Sequence, residues 1–521
     1  MFAFAFWDTV AERLILARDP VGQKPLYYAF DDARLVFASE LKAIPDLVPL
    51  DRTIDPFAVV DYMTFGCIVG ERSVFRDVRK LPAGMTLVLD RDTWRAQTER
   101  YWRWEPRPNS NVNLNEWAED VRDEIDEAVQ AHRVADVPVG AFLSGGIDSS
   151  VVVAAASQHD PIETFSVGFR EAEFSELPYA RMTAESFGCL HHEEILTADL
   201  DELLERFVYH YDEPFADSSA LPSMLVCRSA RRHVKVALSG DGGDEAFGGY
   251  RRYAHDLWEG RIRALLPRAF RRGVLSPLSM IWPKADWLPR PLRLKTFLEN
   301  LARDPAEAYA NTVSWCRPRL RRRLFCAEFR RTVDGYRPEE RVIGEFRRGF
   351  AAAGGDLLAG MLAADIAILL PDDFLTKVDR AGMAASLEVR PPLVDAYVLD
   401  FAGLIPSHFK VNRETKFILK YAFREVLPKD ILYRQKQGFE IPVDRWLRED
   451  LRPVFEESVF RTSSPLETIF DLEEVRRLFD AHRRRRVKAG GILWAILVFA
   501  LWFQAYGTAH GTTGEEGNGA R

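Results

Sequence analysis

The chain has 521 residues, of which 47% are hydrophobic and 28% charged, with a formal net charge of −8. That is too long for one ordinary core and too apolar for disorder, so two domains are expected, and the acidic balance excludes a global electrostatic footprint for nucleic acid. Cys67, Cys189, Cys227, Cys316 and Cys326 are scattered, with no CxxC or Cys/His spacing of zinc type, and read as buried thiols of a cytoplasmic, reducing compartment.

The opening MFAFAFWDTVAERL has no basic run and carries Asp8 and Glu12, so it is not a signal peptide. Residues 1–92 alternate short apolar runs with turns, in LILARDPVGQKPLYYAF, ARLVFASELKAI and PAGMTLVLD, which predicts strands and hairpins of an α+β or layered β region. Breakers in WRWEPRPNSNVN mark a linker over 93–114. From 115 to 507 the pattern is α/β: WAEDVRDEIDEAVQAHR has helical spacing, VPVGAFL is a buried strand, SVVVAAASQ is helix and ETFSVGF strand, a parallel βαβ unit. VKVALSGDGGDEAFGGY again runs a strand into a glycine-rich turn, and an Arg- and Leu-rich helical stretch covers about 255–365. Ile492 to Phe503 is uninterrupted apolar sequence, short of the roughly 20 residues a bilayer needs, so a buried helix and no membrane span are expected. The polar tail, 508–521, is expected to be disordered.

Two loops carry the chemistry. In VPVGAFLSGGIDSS, residues Ser144, Gly145, Gly146, Asp148, Ser149 and Ser150 lie where a strand gives way to a helix. Such a loop aims N–H groups and hydroxyls at an anion, its glycines admit a phosphate closely, and Asp148 suits a magnesium ion; the Gly-Lys-Ser/Thr ending of a Walker loop is absent. An ordinary Gly- and Ser-rich turn is the plain alternative. In LSGDGGDE, Asp241, Asp244 and Glu245 gather three carboxylates at a strand end, for metal or proton work or as a solvated acidic turn. In DDFLTKVDR, Lys377 and Arg380 sit among acids, either steadying phosphates or forming a surface ion-pair helix.

SGGIDSS resembles the pyrophosphate-binding loop of the ATP pyrophosphatase (PP-loop) superfamily. FSVGF, LSGDGGDEAFGGYRRY, LLPDDFLTKVDRAGMAASLEVRPPLVD and RQKQGFEIPVDRWL then follow in the order of the asparagine synthetase family's synthetase domain, over about 115–505. The resemblance implies an α/β fold, a PP-loop parallel sheet with helices. It implies an ATP-dependent ligase that adenylates the aspartate side-chain carboxylate and adds ammonia, normally from glutamine, to give asparagine, AMP and pyrophosphate. Carried over residue by residue, it implies that Leu143, Val167 and Gly168 contact adenine and that Ser144, Gly145, Gly146, Ser149, Ser150, Ser239 and Gly240 line the nucleotide. Lys377 would steady phosphates, Asp148 and Asp244 would hold Mg2+, and Asp241, Glu388 and Lys436 would act at the reacting centre. Asp241 stands where many members carry Glu, and PPLVD at 391–395 replaces the usual Val-Pro-Phe-Leu-Asp. The implied cofactors are ATP and Mg2+. The partners are small molecules, aspartate or another carboxylic acid and glutamine or ammonia, with no nucleic acid and, by family habit, a homodimer.

WPKADWLPRPLR and AEAYANTVSW also resemble the asparagine-synthetase-like amidotransferases of exopolysaccharide and exosortase systems, which leaves a sugar acid open as acceptor; β-lactam synthetase is a more distant likeness. An inactive ATP-binding scaffold is the reading from another class, and the joint presence of Asp148, Asp241, Asp244, Glu388 and Lys436 argues against it. Finally, ASELKAI and ARDPVGQKPLYY resemble the closing part of the family's N-terminal-nucleophile glutaminase, so 1–92 is expected to be an incomplete type 2 glutamine amidotransferase domain. That domain's nucleophile is the cysteine exposed after the initiator Met, whereas Phe2 follows Met1 here and cannot attack, and Cys67 falls after the matched segment. A misassigned start is the expectation, a variant that uses free ammonia or a partner's glutaminase the alternative, and open strand edges predict poor solubility.

Overall fold

The computed structural model describes residues 1–48, 52–158, 160–168, 176–195, 200–282, 294–434, 441–461 and 464–507. The first hundred residues form seven strands: β1 (Ala3–Asp8), β2 (Arg13–Arg18), β3 (Tyr27–Phe30), β4 (Leu35–Ala38), β5 (Arg79–Lys80), β6 (Met85–Asp90) and β7 (Arg95–Arg100). They pair antiparallel in two sheets, ordered β1-β2-β6-β7 and β4-β3-β5. Alternation along β2 and β6 turns Leu16, Leu87 and Leu89 inward onto Leu26, Tyr28 and Leu81, a small core of its own. β1 lies at a sheet edge with Phe4, Phe6 and Trp7 exposed. Arg95–Arg100, which falls at the start of the expected linker, is strand β7, in full register with β6. Farther along that stretch Trp104 is buried, its indole N–H donating to the Leu399 carbonyl at 2.7 Å, so this segment is docked rather than free.

Between these strands the helix Pro56–Phe65 was not foreseen. Proline opens it, the Asp55 side chain caps the Phe57 N–H, and Gly66 ends it in a left-handed conformation. PFAVVDYMTF is apolar nearly all round, which suits burial on every side rather than one amphipathic face. Its Tyr62 hydroxyl donates to the Ala495 carbonyl at 2.7 Å and its Thr64 carbonyl accepts from the Trp315 N–H at 2.7 Å. One continuous core therefore joins the N-terminal segment to the rest.

The remainder is built on a parallel sheet of β8 (Val139–Phe142), β9 (Glu163–Gly168), β10 (Leu190–Ile195), β11 (Val236–Leu238) and β12 (Glu388–Arg390), in the order β10-β9-β8-β11-β12. The chain winds outward from β8 to β10, then returns to place β11 on the other side of β8. That reversal opens a crevice beyond the carboxyl ends of β8 and β11, where α/β sheets bind ligands. The expected helix after the linker is Leu114–Arg133, started by an Asn113/Glu116 capping box. The helical stretch ends in Leu357–Ala364, a π-helical segment Asp365–Leu375 containing Pro371, and Thr376–Ala384. The apolar run near the C-terminus is the helix Gly490–Tyr506, largely buried, and among the described residues no helix is long and apolar enough to cross a membrane.

Candidate active site

The SGGIDSS loop leaves β8 and enters the helix Ile147–Ser157; the SGDGGDE loop leaves the neighbouring β11 and enters Gly243–Phe247. In the first loop the Ser144 N–H donates to the Ser149 Oγ at 3.2 Å, the two hydroxyls lie 3.1 Å apart, and the Gly146 N–H donates to the Ser144 Oγ at 3.3 Å. This network holds the turn while Gly146 starts the helix without a side-chain cap. The second loop lies flush on that first turn: a Cβ on Gly240 would stand 2.5 Å from the Ser149 nitrogen and 2.8 Å from the Asp148 carbonyl carbon.

Between the loops, Asp148 and Asp244 share one cation, the ammonium of Lys416, which pairs with Asp148 Oδ2 and stands 2.6 Å from Asp244 Oδ1. Gly249 leaves the room, since a Cβ there would collide with Asp244 and Lys416. Lys416 is buried and holds φ at 55°, the left-handed region that costs a non-glycine residue about a kcal/mol or more. Burial works against its charge, but the two carboxylates outweigh it and hold its pKa above the ordinary lysine value. Two carboxylates aimed at one cation are also a hard-oxygen donor set that suits magnesium.

A second cation faces the same space. Lys377 Nζ lies 3.1 Å from Asp217 Oδ2, and Asp217 Oδ1 accepts from the Ser219 N–H and hydroxyl at 2.9 and 2.7 Å. Burial opposes the Lys377 charge, but Asp217, Asp241 and Asp373 together keep it protonated. Burial, with Asp217 beside it, pushes Asp373 well above the carboxylate range. On the far wall the Tyr250 hydroxyl donates to Glu245 at 2.5 Å, and burial next to Asp244 pushes Glu245 up to about 7. Arg252 covers the Tyr250 ring at 3.7 Å and donates to Asp365 at 2.6 Å.

Leu143, Ser144, Gly146, Asp148, Ser149, Val167, Ser239, Gly240, Asp241, Asp244 and Lys377 all line one cavity of about 920 Å3. The Ser239 hydroxyl is buried there with no hydrogen-bond partner among the described residues. Four expected residues are placed differently. Gly145, at φ 70°, packs on the backbone of Tyr179 and Ala180. The Ser150 hydroxyl turns from the cavity to Thr183 Oγ1 at 3.2 Å. Gly168 ends β9 without lining the cavity. Glu388 corrects the expectation most clearly: it opens β12, at the strand end away from the cavity, and its carboxylate accepts from Arg390 Nε at 2.7 Å. Lys436 lies outside the described residues. Cys67 is buried, and burial pushes its thiol well up, which leaves no ready thiolate.

The model described as Asparagine synthase matches residues 120–504. The chain belongs to the asparagine synthase family. The model described as Glutamine amidotransferase domain matches residues 1–102. The chain is 31% identical over 511 residues to the glutamine-hydrolyzing asparagine synthetase 1 of Bacillus subtilis, covering 96% of this chain and 77% of that one. A Mycobacterium tuberculosis protein that carries the asparagine synthetase name provisionally is 35% identical over 516 residues, covering 96% and 76%. Escherichia coli asparagine synthetase B is 31% identical over 294 residues, 51% of this chain and 47% of that one.

Sequence reasoning missed Lys416, Asp217 and Arg252. Lys416 stands in ETKFILKYAF, where a lysine before an apolar helical run carries no spacing signal. Asp217 was more accessible: DSS at 217–219 is the acid-serine pattern of a local side-chain turn.

Proposed function

We propose that the chain adenylates the side-chain carboxylate of aspartate with ATP and transfers ammonia to it, giving asparagine, AMP and pyrophosphate. The observation that carries this reading is the convergence of two glycine loops at the sheet's switch point, in an asparagine synthase family chain, on one cavity holding Asp148, Asp241, Asp244 and Lys377. At about 920 Å3 the cavity is within the range of nucleotide-sized sites.

In the first half-reaction a carboxylate oxygen of aspartate attacks the α-phosphorus, and the bond to the β-phosphate oxygen breaks to release pyrophosphate. In the second, the ammonia lone pair attacks the acyl carbon, AMP leaves with the bonding electrons, and the nitrogen loses a proton. We assign the N–H groups at the start of the helix Ile147–Ser157, with the Ser144, Ser149 and Ser239 hydroxyls, to phosphate oxygens. Leu143 and Val167 offer adenine an apolar seat. Lys377 faces the phosphates' negative charge, and Lys436, by its motif, supplies the charge that offsets build-up at the α-phosphoryl group. Asp241 is the cavity acid suited to taking the proton that amide formation releases. Asp148 and Asp244 would hold magnesium, whose charge offsets that of the phosphates.

The test is pyrophosphate release from ATP and magnesium with aspartate, comparing ammonium with glutamine. Aspartate-dependent release with asparagine formation supports the reading. Release with a sugar acid but not aspartate would move the acceptor to a polysaccharide precursor, and silence with every acid would leave an ATP-binding scaffold.

A further inference from the structure

At the other end of the parallel sheet, three side chains from distant parts of the chain meet. Glu163 is the first residue of β9, His192 lies on β10, and His233 stands on the turn leading into β11. His192 Nε2 is 2.9 Å from Glu163 Oε2, and His233 Nδ1 is 3.9 Å from the same oxygen. The two imidazole rings lie 4.0 Å apart. Among the described residues this is the one group of three metal-ligating side chains whose donor atoms all lie within 4.8 Å of one another.

The geometry points to a zinc site, with Glu163, His192 and His233 as its protein ligands and solvent completing the coordination. Two imidazole nitrogens and one carboxylate oxygen are the donor chemistry of zinc and its borderline neighbours, whereas magnesium and calcium want oxygen throughout. Bonds of about 2.0–2.1 Å around a tetrahedral ion hold donors roughly 3.3 Å apart, so small rotations of these partly exposed side chains close the set.

The rings are held for the purpose. Phe165 is buried beneath them, stacked on His192 at 5.1 Å and 10° and lying 5.6 Å from His233. It can lie there because Gly140 on β8 has no side chain: a Cβ would stand 2.6 Å from the Phe165 ring. A bound ion ties the turn before β11 to β9 and β10, an adjacent pair that the sheet's hydrogen bonds join to β11 only across β8. The site takes no part in the amide chemistry and does not depend on the reading above.

The test uses the full chain, stripped with EDTA and kept in excess Mg2+ so that the Asp148/Asp244 pair is not the metal sink, titrated with Co2+ and then Zn2+. One equivalent of Co2+ with a visible d–d band, displaced by Zn2+, and a melting temperature that rises with zinc are expected. Both responses should vanish in the double variant His192→Gln/His233→Gln. Should that variant melt early, Glu163→Gln keeps both rings and weakens Co2+ binding at least about tenfold. Equal binding in parent and variants, no binding in the parent, or an intense near-ultraviolet thiolate band that puts the ion on cysteine would each overturn the site.

Discussion

Replacing Gly240 with Ala tests whether the two loops work as one unit. The added methyl would stand 2.5 Å from the Ser149 nitrogen, 2.8 Å from the Asp148 carbonyl carbon and 2.9 Å from the Ser149 Cα, all backbone atoms of the first turn of Ile147–Ser157. Ordinary contact needs about 3.5–4.0 Å, so the loops must separate by about an ångström, and no side-chain rotation relieves it. A displacement of that size at a reacting centre costs about 100-fold in rate, while overpacking costs about 1–3 kcal/mol of stability. We expect Gly240→Ala to fold, to melt a few degrees lower, and to release pyrophosphate about 100-fold more slowly. Gly344, exposed in the helix Glu339–Ala352 with nothing within 4 Å of a Cβ, is the control. Gly344→Ala should raise stability by about 0.5–1 kcal/mol and leave turnover unchanged. A Gly240→Ala enzyme with parental turnover would refute the reasoning that close apposition of the loops builds the site.

Lys416→Met removes the ammonium that Asp148 and Asp244 share; deleting one member of a buried ion pair costs about 3–5 kcal/mol, read as a lower denaturant midpoint, and Mg2+ should restore part of the loss. An unchanged midpoint would show that the pair carries no such load. Glu388→Gln should leave pyrophosphate release near the parental rate, and a loss of orders of magnitude would return Glu388 to the reacting centre. Asp61 accepts from the Tyr336 hydroxyl at 2.7 Å, yet burial pushes its carboxyl from the ordinary 3.8 up to about 7. Its folded-state pKa being the higher, the stability it contributes is present at acid pH and lost as pH rises through about 7. Asp61→Asn should therefore be stabilising at pH 8, on the order of 4 kcal/mol at most, and nearly neutral at pH 4. A variant less stable than the parent at pH 8 would reverse that sign.

The parallel sheet was legible because VGAF, ETFSVG and VAL are largely buried strands, and local pattern is what such strands display. The two glycine-rich loops were legible for the same reason: glycine and acid at a strand end announce themselves over seven or eight residues. What escaped reading depends on distance along the chain. Lys416 gains its meaning only when its ammonium reaches two carboxylates, one of them 268 positions away. Glu388 sits among recognisable motif residues, but three residues of strand decide which end of the sheet it occupies. The helix Pro56–Phe65 was hidden because a segment apolar on all sides has neither the period of a strand nor that of an amphipathic helix. The Glu163, His192 and His233 group has no spacing at all, since three separate elements supply it.

The hydrogen bond from the Tyr62 hydroxyl to the Ala495 carbonyl spans 433 positions, and Tyr62 and Phe499 pack ring to ring at 6.0 Å beside it. A ribosome adding about 5–20 residues per second needs roughly 20–90 s to make the second partner after the first. Through that interval Pro56–Phe65 has emerged with apolar residues on every side and part of its enclosure still unwritten. The nascent chain must therefore be sheltered by other proteins or by transient contacts of its own, and a stop codon placed before Gly490 would leave Pro56–Phe65 permanently without its covering helix.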